Sequence, residues 1–228
     1  MDGQLDVPMI NMLEQKFEKS HFTRVDSDVI DRLIVKEEQK GEELADTKRE
    51  ILATVFNGQL PKVQKTEFHV ETQAMGGTSA PIIITQAEYM RRMKEMANIQ
   101  PGMSFYGEMP DMFNLVLNSD HRLIKQVLDD AEASCSEKLV PVESEIAMLK
   151  LRESELHKAH EGKKDEEIPT TEKDELHDIE KKLDEQKKQK DSIINEYAAS
   201  NKVVHQLIDL ALLQNNMLKG EALTNFVK

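Results

Sequence analysis

Apolar residues recur at helical spacing from the start of the chain. Met9, Met12, Leu13 and Phe17 follow Pro8 and predict a helix over 5–20. The Asp26-Ser27-Asp28 cluster would cap a second helix carrying Val29, Ile30, Leu33 and Ile34. The charge run KEEQKGEE over 36–43 reads as a linker, and 44–56 as a third helix stopped by Asn57-Gly58. The period then drops from 3.6 to 2. Phe68 and Val70 alternate within 65–72, three isoleucines fill 81–85, and FNLVLN occupies 113–118, so three strands are expected. Between the last two strands, Thr85 and Glu88 form a capping-box pattern, with Ile84 and Tyr89 placed for a hydrophobic staple. They open a short helix with Tyr89, Met90, Met93, Met96 and Ala97 on one face and Arg91, Arg92, Lys94 and Glu95 on the other. Ser119-Asp120 would cap a helix running to about Asp130.

Residues 131–197 change character. Leu176, Ile179, Leu183, Gln186, Lys190, Ile193 and Tyr197 alternate spacings of three and four, a heptad seam. Val142, Ile146, Leu149 and Leu156 make a matching seam upstream. Gly162, Pro169 and a Thr171/Asp174 cap separate the two. An antiparallel helical hairpin follows, either a docking arm or a solvated insertion. After Asn201 comes a helix apolar over about two thirds of its circumference, more than one contact face requires. It needs cover on two sides, from its own domain and from either the hairpin or a second copy. A break at 218–220 leads to a further amphipathic helix with Ala222, Leu223, Phe226 and Val227, within which the chain ends.

The fold class is therefore α+β: a small three-stranded sheet flanked by helices, with an inserted hairpin over 131–197. Composition narrows the function. The net charge of −13 disfavours nucleic acid and anionic membrane as partners, since both demand cationic surface. The 131–197 stretch alone has nineteen acidic and twelve basic residues, so it supplies seven of those negative charges. One cysteine, Cys135, excludes an internal disulfide framework and fits a reducing compartment. With no signal-peptide pattern and no apolar run long enough for a membrane span, a cytoplasmic protein is expected.

No catalytic constellation emerges. Nucleotide-cradling glycine loops are missing, and the Gly76-Gly77-Thr78-Ser79 turn is too slight to make one. His157 and His160 share a helix face near Glu161 but lack a metal-protease frame or a thiol. Nothing cationic stands beside Cys135 in sequence to activate it. No enzyme, metal site or cofactor site is expected in this chain. What stands out is methionine: six of the twelve lie at 90, 93, 96, 103, 109 and 112. Flexible, polarizable methionines serve promiscuous binding surfaces, and they also fill cores. Spacing leaves both open. It also leaves open a structural adaptor whose hairpin docks a fixed partner.

The segments YMRRMKEM, FYGEMPD, NLVLNSDHRLIK and LIDLALLQNNMLKGEALTNFVK resemble the bacterial branch of the 90-kDa heat-shock chaperone family. The likeness covers nearly the whole chain. It places 1–40 at the end of that family's middle domain and its linker, and 41–228 in the C-terminal dimerisation domain. The resemblance implies a homodimeric part of an ATP-dependent protein-folding chaperone. ATP and magnesium would bind in an N-terminal domain outside this stretch. It further implies client contact through the amphipathic helix at 87–97, with Tyr89, Met90, Met93 and Met96 as candidates. The dimer interface would come from the closing helices, with Val204, Leu207, Ile208, Ala211, Leu212, Leu223, Phe226 and Val227 as candidates. Two features depart from the family pattern. The 131–197 hairpin is longer than the link in many relatives, and the last family helix continues past Val227.

Overall fold

The computed structural model describes residues 6–17, 19–20, 22, 44–61, 65–86, 88–97, 107, 109–160 and 169–228. The helix expected over 26–34, the charge run at 36–43, Met103 and Gly162 lie outside the described residues. In chain order the elements are α1 (Asp6–Lys16), α2 (Asp46–Asn57), β1 (Thr66–Gln73), β2 (Ile82–Gln86), α3 (Glu88–Ala97) and β3 (Asp111–Asn118). They are followed by α4 (Arg122–His160), α5 (Thr170–Ser200), α6 (Lys202–Gln214) and α7 (Gly220–Val227). The α+β class and the three strands are as expected from the alternation.

The sheet has the order β1-β3-β2, with β3 parallel to β1 and antiparallel to β2. Its register explains the alternation. Phe68 stands opposite Phe113, Val70 opposite Leu115, and Ile82 opposite Leu117. These side chains share one face of the sheet and enter a core with Leu52, Val55 and Phe56 of α2, Ile124, Val127 and Leu128 of α4, and the buried side of α6. Val116 points to the opposite face, where it packs with Met75 and Ile83. Asn118, fully buried at the end of β3, accepts from the Met75 and Asp120 amides and donates to the Gly76 and Ala80 carbonyls. That fan satisfies the backbone where β3 gives way to α4.

The helix following β3 does not stop near Asp130. It runs unbroken for 39 residues, with Pro141 inside it, a length of about 58 Å at 1.5 Å per residue. The reason is in the spacing. Ala131, Cys135, Leu139 and Val142 continue the buried stripe of Ile124, Val127 and Leu128 without a glycine to end it. Its first turn is capped by His121, whose Nδ1 accepts from the Leu123 amide, in place of Ser119 and Asp120.

The first arm of the hairpin is thus the far half of α4, and α5 returns along it. The paired seams meet as the heptads predict: Leu156, Ile179 and Leu183 are buried, with Ile146, Leu149 and Leu176 packed around them. Near the base a second stripe, Ile194 and Ala198, is also fully buried, because α5 there packs on α2 as well as α4. Between this base and the distal seam lies a polar layer. Lys190 reaches Glu50 of α2 at 3.2 Å and Glu143 of α4 at 3.1 Å, and Gln186 donates to Glu145 at 2.7 Å. The apolar clusters at the base and along the distal seam are therefore separate, with charge between them. Thr171 and Asp174 fall inside α5, which starts one residue after Pro169, so they do not cap it.

A single residue, Asn201, joins α5 to α6. Its side-chain oxygen accepts from the Val203 and Val204 amides, and its amide donates to the Tyr197 hydroxyl at 2.7 Å. The Tyr197 hydroxyl donates in turn to the Val127 carbonyl of α4. At the other end of α6, Asn216 takes a left-handed φ of 55° and Gly220 one of 62°. Those conformations favour Asn and Gly and turn the chain into α7.

Candidate functional site

The methionine helix α3 is held in place by charge. Arg92 donates to both carboxylate oxygens of Glu14 on α1, at 2.9 and 3.3 Å, and to Asn11 Oδ1 and the Phe22 carbonyl. Bidentate pairing of guanidinium and carboxylate fixes direction as well as distance. Asn11 then donates to Met96 Sδ at 3.6 Å. On the other side Lys94 meets Asp111, the first residue of β3, at 2.6 Å. Arg91 pairs with Glu95 along the helix itself.

The methionines play a minor part in the core. Met90, Met93 and Met96 are each half-buried, and none belongs to a buried cluster. Tyr89 is 63% exposed. The anticipated staple between Ile84 and Tyr89 is therefore not formed, since Ile84 is spent in the sheet core. Nor is the capping box: Thr85 is a buried strand residue opposite Asn114, because β2 extends to Gln86. Strand pairing has taken the residue that local pattern assigned to a cap.

Sequence reasoning overlooked the neighbours of this helix. Met9, Met12 and Phe17 of the α1 segment, Phe22 beyond it and Met112 of β3 are all exposed large apolar residues. Met12 is 60% exposed on the helix that α3 is latched to. The Arg92–Glu14 pair thus holds together two helices that each carry exposed apolar side chains, Tyr89 on α3 and Met9 and Met12 on α1. The only signal in the sequence was the methionine pair of the first helix, which a core also explains.

The closing helices divide differently from the sequence assignment. Val204, Leu207, Ile208, Ala211 and Leu212 are buried in the protomer's own core, against β2, α2 and α7. They are covered without a second copy. Leu223 and Phe226 are half-buried against that core, and Val227 is 74% exposed. Leu210, also exposed, lines a groove of about 500 Å³ between α6 and α7 with Gln206, Asp209, Asn225 and Phe226.

Cys135 is buried, its Sγ 3.9 Å from the Ile193 carbonyl, and burial pushes its thiol up despite Lys138 nearby. His160 bonds Glu172 at 2.6 Å and ties the two arms near the hairpin tip, while His157 is exposed. Among the described residues no cluster of His, Cys, Asp and Glu could hold a metal ion, and no helix is long and apolar enough to cross a membrane.

Over its whole length the chain is similar in sequence to the C-terminal region of curated molecular chaperones. The chain belongs to the HtpG family, the bacterial branch of the 90-kDa heat-shock chaperones. It is 66% identical over 228 residues to chaperone protein htpG of Bacteroides fragilis strain YCH46 and 65% identical to that of Bacteroides thetaiotaomicron. To the Porphyromonas gingivalis protein it is 47% identical over 231 residues. The whole chain is covered in each case, against 34%, 34% and 33% of the relative, within the C-terminal region. The chain thus spans about a third of the length of the curated relatives it matches. No family model matches the chain, and no solved structure matches it.

Proposed function

We propose that this chain is the non-catalytic part of a molecular chaperone that joins two copies and offers an adaptable apolar surface to non-native proteins. The observation that carries the client-contact reading is the exposure of Tyr89 and Met12 on two helices latched by Arg92 and Glu14. Exposed methionine and tyrosine side chains fit irregular apolar surface, and the Arg92–Glu14 pair fixes the two helices that carry them. The net charge of −13 keeps a complex with sticky client soluble. Nucleotide chemistry belongs to other domains in this reading, and 1–40 is the end of the preceding domain.

Pairing of two copies is assigned to Leu210, Leu223, Phe226 and Val227, the outward part of the closing helices, since the inner part is already covered. A Tyr89→Ser/Met12→Ser variant should bind a permanently unfolded, reduced and alkylated protein several-fold more weakly. Its stability should change by less than about 0.5 kcal/mol, as for exposed positions generally. Unchanged binding would remove this surface from the proposal. Sedimentation equilibrium on Leu210→Glu/Val227→Glu tests pairing separately: the variant should be monomeric where the parent associates.

A further inference from the structure

The two edges of the sheet differ. The Asp111 amide donates to the Lys65 carbonyl, and the Ser119 amide donates to the Gln73 carbonyl. In a parallel ladder that alternation commits the odd-numbered residues of β1 to β3. The N–H and C=O groups of Thr66, Phe68, Val70 and Thr72 therefore point away from β3, and among the described residues nothing bonds them. At the opposite edge the Asn118 amide donates to the Pro81 carbonyl, so Ile82 and Ile84 of β2 face outward. Those two are only 2% and 6% exposed, and that edge is closed. On β1, Thr66, Phe68, Val70 and Thr72 are half-buried, and Glu67 and His69 between them are exposed.

Folded proteins close long edges with a proline, a lysine, a bulge or a covering element. The strand TEFHVETQ contains neither proline nor lysine, and its register against β3 runs without a bulge from Thr66 to Gln73. Its outward groups recur every second residue, about 6.6 Å apart, over roughly 20 Å. Another extended backbone presents donors and acceptors at that repeat. On the core side, Phe68 and Val70 are only partly covered, and alternate apolar side chains of an added strand would lie beside them. Glu67, exposed on the other face, disfavours only an acidic residue opposite it. Recognition through main chain tolerates many sequences, as contact with varied non-native chains requires.

We propose that the outer edge of β1 binds an extended segment of a non-native polypeptide as an added strand. This role rests on the client-contact reading and supplies a second contact, made through main chain instead of Tyr89 and Met12. The probe is a capped peptide of alternating valine and threonine with a lysine at each end, added to the full chain. A copy N-methylated on its central residues, with the same charge, is the control. Amide exchange is followed residue by residue by NMR. In the free chain Phe68, Val70 and Thr72 should exchange at least tenfold faster than Glu67, His69 and Glu71. The peptide should slow the first three at least tenfold, and the N-methylated copy should not. Val70→Pro removes an outward N–H and keeps the ladder to β3, so it should raise the peptide Kd at least tenfold with far-UV circular dichroism unchanged. Tyr89→Ser/Met12→Ser should leave this Kd as it is, so a failure of that surface with unfolded protein is distinguishable from a failure here. Protection of Phe68 and Val70 without peptide, equal binding of the N-methylated copy, or a Kd raised by Tyr89→Ser/Met12→Ser overturns the proposal. So does protection that grows with protein concentration alone, which would make the occupant a second copy.

Discussion

The Lys190 ammonium lies 3.1 Å from Glu143 Oε1 at a level of the hairpin where every neighbouring seam residue is apolar or amide. Glu50 holds the same ammonium from the other side. Burial alone would push Lys190 down, but the hydrogen bonds and charge of Glu143 and Glu50 together raise it above the ordinary lysine value of 10.5. The folded state therefore holds this proton more tightly than the unfolded chain. The resulting stability is fully present below pH 10.5 or so and is lost as pH rises above that.

Lys190→Ala should accordingly cost about 2 kcal/mol, less than the 3–5 of a fully enclosed pair because both glutamates are partly solvated. Lys190→Met should cost less than about 1 kcal/mol, since it keeps the aliphatic stem and frees the carboxylates to water. Urea unfolding at pH 7 compares the two. Repeating it at pH 11 should shrink the gap between wild type and Lys190→Met.

Gly58 ends α2 against α5 with no room for a side chain. A Cβ there would stand 1.8 Å from Asn195 Oδ1, an atom that is itself buried without a hydrogen-bond partner. Gly58→Ala should destabilise by up to about 1 kcal/mol, since the Asn195 amide, the end of a flexible side chain, must swing aside. Combined with Asn195→Ala, most of that loss should return, giving a coupling of at least about 0.5 kcal/mol in the double-mutant cycle. Simple additivity would mean that the glycine acts through helix termination alone.

Asn201→Ala removes both the cap of α6 and the donor to Tyr197, and should cost about 2 kcal/mol. Tyr197→Phe removes only the hydroxyl links and should cost about 1 kcal/mol. Asn201→Asp keeps the cap oxygen and should fall between them by thermal melting.

The buried thiol of Cys135 gives a kinetic prediction. Ellman's reagent at pH 8 should react with it only at the rate of local opening, because burial both shields the sulfur and raises its pKa. In denaturant the reaction should finish within seconds. Fast native reactivity would contradict the placement of Cys135 against Ile193.

Much of this was legible from periodicity. Phe68, Val70, Ile82 and Ile84 announce a one-faced sheet, and Leu176 to Tyr197 announce the hairpin, because both patterns are written at short range. Misread features depend on long-range pairing. Thr85 carries a valid capping pattern, yet its backbone is claimed by Asn114 of β3. Arg92 and Glu14 are 78 residues apart, and nothing local marks either as the other's partner. Val204 to Leu212 show the limit most clearly. An apolar face records that something covers it and is silent on whether the cover is the same chain or another.

The division of the apolar interior by Lys190 and Gln186 has a thermodynamic consequence. Among the described residues the buried cluster of the distal hairpin, Leu156, Ile179 and Leu183, is separate from that of the body, so the hairpin is expected to melt without taking the body along. Heat capacity and helix signal should then trace different midpoints, with a calorimetric enthalpy larger than the van't Hoff value. Separate midpoints would mean that one melting temperature is not a complete description of this chain, and that the polar layer is the seam along which two cooperative units part.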